Sequence, residues 1–125
     1  MKASKPAEII HMTYITTSTV MEGKVAVLMS VDNYSEYCYG IAVEMDLCLE
    51  SVEKHVSAIL IDVQKHHPKT KPLFIMAYGK EFIPALEEKH LGKAKFMYNP
   101  VLADEKAMPV AKVLMKELLK NNKQQ

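Results

Sequence analysis

The chain has 125 residues, 49% apolar and 25% charged, a size and composition that suit one globular domain with a real core. Sixteen basic against 15 acidic residues leave a net charge of +1, which excludes a strong field for a polyanion. All 16 basic residues are lysines, so the planar arginine fork that reads phosphates and guanine edges is missing, although lysine still neutralises phosphate. No apolar run approaches the ~18 residues of a membrane span, and no signal peptide opens the chain, so a cytoplasmic protein without a membrane partner is expected. Cys38 and Cys48 show no metal-ligand spacing and read as a reduced pair in a cytosolic core.

Residues 1–8 are expected to form a disordered leader, residues 9–120 the domain, and residues 121–125 a frayed tail. Ile9 to Thr17 is rich in β-branched and aromatic residues and predicts a strand. After a turn signal at Met21-Glu22-Gly23-Lys24, Val25 to Val31 is almost continuously apolar and predicts a strand buried on both faces. Asp32-Asn33-Tyr34-Ser35 is the next turn, and Tyr37 to Val43 a third strand, so the three form an antiparallel meander. Val52, Val56, Ile59, Leu60 and Val63 then share one face of a helix that stops near His66-His67-Pro68. Leu73 to Met76 predicts a short buried strand beside and parallel to the first, and Glu81 to Leu91 a second helix with Pro84 in its first turn. Ala94 to Tyr98 is a fifth strand, and Pro109 suits the first turn of a last helix reaching about Lys120. The order β-β-β-α-β-α-β-α implies an α/β domain, a mixed five-stranded sheet flanked by helices.

That order is also the one of the ribonuclease-H-like fold, and three motifs narrow the likeness. His11-Met12-Thr13-Tyr14-Ile15, Val31-Asp32-Asn33-Tyr34-Ser35-Glu36 followed by Tyr39-Gly40-Ile41-Ala42, and Met76-Ala77-Tyr78-Gly79-Lys80-Glu81-Phe82 stand in order along the chain. Together they resemble the integrase core domain of insertion-sequence transposases and retroviral-type integrases. The resemblance implies a ribonuclease-H-like sheet and, in active members, three carboxylates holding two Mg²⁺ or Mn²⁺ ions that clamp an in-line displacement.

The departures from that pattern fall on the chemistry. The first acidic position corresponds to His11 and the second to Ala77. The third corresponds to Val110, with Val113 as the other candidate one turn on. No catalytic residue and no cofactor are therefore expected. Substitute ligands are available in Asp32, Glu81, Asp104 and Glu105. Asp32 more simply orders a turn, Glu81 suits a helix start, and Asp104 and Glu105 read as caps preceding the last helix.

His11 is expected at the C-terminal end of a central strand with Ala77 opposite, where α/β clefts form, as a hydrogen-bonded core histidine. His66 and His67 sit in a basic loop and read as solvated; His55 and His90 carry no motif. Lys112, Lys116 and Lys120, with Lys123, form a stripe on the last helix that suits either a DNA backbone or the helix dipole. Met12, Met29, Met76 and Met97 read as flexible core filling. The function expected is that of a catalytically inactive integrase-core-like module that holds DNA nonspecifically or assembles with itself as a homodimer or with a related transposase. The alternative is an active metal-dependent nuclease whose carboxylates have moved.

Overall fold

The computed structural model describes residues 2–19 and 23–123, with side chains described for 2–18 and 23–117. The elements are β1 (Ile9–Thr19), β2 (Gly23–Asp32), β3 (Cys38–Glu44), α1 (Leu49–His66), β4 (Leu73–Met76), α2 (Ile83–Lys89), β5 (Lys95–Tyr98) and α3 (Pro100–Lys123). A 3-10 turn at Lys80–Phe82 leads into α2. The sheet runs β3-β2-β1-β4-β5. β1, β2 and β3 pair antiparallel, whereas β4 lies parallel to both β1 and β5. The meander, the helical crossover and the mixed α/β sheet all follow the sequence expectation. Of the turn expected at Met21-Glu22-Gly23-Lys24, Met21 and Glu22 lie outside the described residues, and Gly23 and Lys24 open β2.

Two layers cover the sheet. On one face α1 buries Val52, Val56, Ile59 and Val63 against Ile10, Met12, Leu28 and Phe74. Each such aliphatic side chain contributes about 1.5–3 kcal/mol by leaving water. On the other face α3 presents a ridge of Ala103, Ala107 and Ala111, all fully buried, to Ile75, Val27 and Met29. Alanines at i, i+4 and i+8 let the helix backbone approach closely; a leucine at Ala107 would overpack this contact by about 1–3 kcal/mol. Strand β2 is buried on both faces from Val25 to Asp32, as its continuous apolar run predicts. Met12, Met29 and Met76 are core residues, and Met97 is half-buried.

Four expectations are corrected. The leader packs onto the domain: Ala3 and Ala7 are buried, the Ala3 N–H donates to Asn33 Oδ1 at 2.9 Å, and the Ala7 N–H donates to the Asp32 carboxylate at 3.3 Å. Ala7 adopts a φ of 66°, a left-handed geometry costly for a residue with a Cβ, and those bonds help hold it. The last helix starts at Pro100 and not at Pro109, because Asn99 caps it: its Oδ1 accepts the Leu102 N–H at 3.1 Å, and proline follows in the first turn. Pro109 therefore lies inside the helix, and the backbone stays helical through Lys123, past the expected end. Cys48 is exposed ahead of α1 and Cys38 half-buried, so neither is a core thiol, although both are free. Finally, the second helix is shorter than expected, a 3-10 turn and two turns of α-helix, with Pro84 in its first turn.

Candidate functional site

A cleft of about 760 Å³ opens between β1, the residue after β4, and one flank of α3. Its floor is Thr13 and Ala77, brought side by side because the Ala77 N–H continues the parallel ladder to the Met12 carbonyl at 3.0 Å. Its α3 wall carries Asp104, Met108, Lys112 and Lys116. This wall follows from helix geometry. With the alanine ridge against the sheet, a step of about 100° per residue turns the positions just after each alanine toward β1. Thr13 Oγ1 donates to Asp104 Oδ1 at 2.8 Å and ties strand to helix across the cleft.

The same rotation removes Val110. It is half-buried on the opposite flank of α3, while Val113 is 63% exposed, and neither lines the cleft. Val110, expected at the third acidic position, thus stands away from this cleft, and the helix that carries it starts nine residues earlier than expected, at Pro100 and not at Pro109. Asp104, expected ahead of the helix, sits within its first turns and faces the cleft.

His11 is the third residue of β1, not at the strand's C-terminal end, and is 2% exposed. Its Nδ1 lies 2.9 Å from the Leu102 carbonyl oxygen and its Nε2 lies 2.8 Å from Asn33 Nδ2. A carbonyl can only accept and an amide nitrogen can only donate, so the ring is the neutral Nδ1–H tautomer. Burial pushes the His11 pKa below its ordinary value, opposed by the Leu102 carbonyl and assisted by Lys106. It is the hydrogen-bonded core histidine expected, and both nitrogens are engaged.

The substitute carboxylates are dispersed. Asp32 is fully buried and accepts the Ala7 and Tyr34 N–H groups and the Ser35 hydroxyl, so it orders the turn and leader. Glu81 is exposed in the 3-10 turn, and Glu105 is exposed on α3. Among the described residues no group of three His, Cys, Asp or Glu side chains is placed to hold a metal ion. Lys112 and Lys116 of the lysine stripe line the cleft. The side chains of Lys120 and Lys123 lie outside the described residues.

The remaining histidines are less passive than their sequence setting suggests. His55 is buried, with Nε2 at 2.8 Å from Ser30 Oγ, and burial lowers its pKa to about 4. His90 Nε2 lies 3.1 Å from Glu53 Oε1, joining α2 to α1. His66, expected in a solvated loop, is the last residue of α1 and has Asp62 one helical turn away at 3.5 Å. Sequence reasoning missed the Thr13–Asp104 pair; the Asn99-Pro100 helix start was the signal that would have placed it.

Comparison with known proteins adds a fold likeness. No family model and no curated protein matches the chain. A chain in the cryo-EM structure of a simian T-cell lymphotropic virus intasome in complex with the PP2A regulatory subunit B56 gamma is similar, with a TM-score of 0.62 and 13% identity. The match covers 97% of this chain and 44% of that one, so the present chain spans under half of its neighbour's length. At that identity the likeness is one of fold. Among the described residues no helix is long and apolar enough to cross a membrane.

Proposed function

We propose that this is an integrase- or transposase-core-like domain on a ribonuclease-H-like sheet that has lost its nuclease and strand-transfer chemistry. It serves as a cytoplasmic nucleic-acid-binding or assembly module, with DNA, a second copy or a related transposase as partner. The fold likeness to an intasome chain and the β3-β2-β1-β4-β5 sheet support the ancestry. The observation that carries the loss of chemistry is the state of His11. Where a ligand carboxylate belongs in the resembled family, a neutral imidazole has both nitrogens committed to Leu102 and Asn33, and Ala77, two residues beyond its ladder partner Ile75, offers no ligand. Hard divalent ions take clusters of oxygen ligands. Asp104 supplies one carboxylate to the cleft, which is the single feature favouring the nuclease alternative, and its contact with Thr13 already gives it a structural role.

Lysines 112 and 116 at the cleft suit phosphate contacts that carry no base code. Fluorescence anisotropy with duplexes of unrelated sequence should give weak, equal affinities that fall steeply with salt. Lys112→Gln with Lys116→Gln should reduce the log–log salt slope by about one for each phosphate no longer neutralised. A thermal scan with millimolar Mg²⁺ or Mn²⁺ should leave the midpoint unmoved. A bound ion at 100 times its Kd would contribute about 2.7 kcal/mol and raise the midpoint by several degrees. A clear Mn²⁺ shift accompanied by DNA nicking that Asp104→Asn abolishes would establish the nuclease instead.

A further inference from the structure

A second cleft, of about 560 Å³, lies on the α1 face of the sheet, remote from the one described above. The leader contributes Pro6, the end of β2 and the turn after it contribute Asp32 and Ser35, and Tyr37 and Tyr39 flank the first residue of β3. The last turn of α1 adds Asp62, with His66 and His67 beside it. In a chain with 16 lysines, none lines this cleft among the described residues. The two tyrosine rings stand nearly perpendicular, at 89°, with centroids 5.1 Å apart, and so form two walls of a corner. Behind them, the Asp32 carboxylate accepts from uncharged donors, two backbone N–H groups and a serine hydroxyl, and has no lysine against it among the described residues. Asp62 faces His66 at 3.5 Å, a contact that carries opposite charge only when the imidazole is protonated.

Aromatic faces attract cations through their quadrupole, and carboxylates add direct attraction, whereas a phosphate would be repelled here. A neutral apolar ligand would gain nothing from the two acids. From this juxtaposition the geometry points to a site for an organic cation: an alkylammonium head group enclosed by Tyr37 and Tyr39 and neutralised by Asp32 and Asp62. The group is supplied by a free small amine or by a lysine-type side chain on a peptide. The field is felt by Tyr39 itself, whose hydroxyl is pushed well above its ordinary pKa by burial and then by Asp32 and Asp62. This site does not depend on the integrase-like reading. It would stand if that reading fell, since it uses neither His11, Ala77 nor the α3 cleft.

The test is an amide NMR titration of the whole chain with four probes. Choline is compared with its neutral isostere 3,3-dimethylbutan-1-ol, and a short acetylated lysine peptide with the same peptide carrying acetyl-lysine. Both cations should shift amides between Ser35 and Tyr39 and around His66, and both neutral partners should not. Tighter binding of choline assigns the site to free amines, and tighter binding of the peptide assigns it to side chains. Tyr37→Ala, a change at a 57% exposed side chain, should weaken cation binding roughly 2- to 30-fold, while Tyr37→Phe should leave it within about twofold. Asp62→Asn should weaken it as well. Equal shifts from the neutral isosteres, no shifts at all, or cation binding indifferent to both Tyr37→Ala and Asp62→Asn would overturn the assignment.

Discussion

Mild acid should destabilise this fold before its carboxylates titrate, and His55 is the main reason. The imidazole is sealed between α1 and the sheet against Ser30, and burial lowers its pKa from 6.5 to about 4. A histidine whose folded pKa is depressed binds fewer protons folded than unfolded between the two values. Stability is therefore full above the unfolded value and is lost as pH falls through the window from 6.5 toward 4. Between pH 7 and pH 5 the unfolded ring becomes almost fully charged while the folded ring stays mostly neutral, which removes about 2 kcal/mol. His11, lowered chiefly by burial, acts in the same direction. Denaturant unfolding at pH 7, 6 and 5 should show this as a falling midpoint at constant m-value. His55→Gln keeps an amide donor near Ser30 without a titrating group and should remove most of the slope; adding His11→Asn should flatten the rest. A wild-type profile that is level from pH 7 to 5, or a His55→Gln variant with the whole slope intact, would rule out His55 as the cause.

Other substitutions probe individual features of the fold. His11→Ala removes two hydrogen bonds from a buried ring and leaves a cavity, at a cost of about 3 kcal/mol that thermal unfolding should report. Asn99→Ala deletes the α3 cap and should cost about 1 kcal/mol by the same measurement, whereas Asn99→Ser should cost a few tenths. Pro109→Ala restores a helical N–H toward the Glu105 carbonyl and should stabilise the protein by about 1–3 kcal/mol; a loss of stability would mean that the proline fits its site without penalty. Glu36→Gly relieves an exposed residue at φ 63° and should stabilise by about 0.5 kcal/mol in denaturant melts, after the entropy of the glycine is subtracted.

The sheet was legible because its signals are local and redundant. Continuous apolarity marks β2, Asp32 to Ser35 marks a turn, and Pro68 ends α1 within two residues of its observed stop. The site was less legible because it depends on which way a helix is rotated. Asn99-Pro100 and Ala107-Met108-Pro109 both look like helix starts, and periodicity alone does not choose between them. Only the cap from Asn99 to Leu102 decides, and with it the cleft wall passes from Val110 to Asp104, Met108 and Lys112. The partners of His11 were beyond reach for a similar reason. Leu102 lies 91 residues away and contributes a carbonyl oxygen, a group every residue possesses and no composition reveals. The leader misled because Ala3 and Ala7 are small residues among polar ones, and their burial rests on Asn33 and Asp32 accepting backbone amides.

The line from the Ala3 amide through Asn33 and His11 to the Leu102 carbonyl joins four segments that lie far apart in sequence, by steps of 30, 22 and 91 residues. Each link is a neutral dipole, so its strength does not fade with ionic strength as a surface ion pair would. Solvent reaches the Ala3 amide only after the leader lifts, and lifting it withdraws a donor from the side chain that orients His11 against α3. Hydrogen exchange at that single amide, close to the chain's beginning, would therefore report the anchoring of a helix that begins at Pro100.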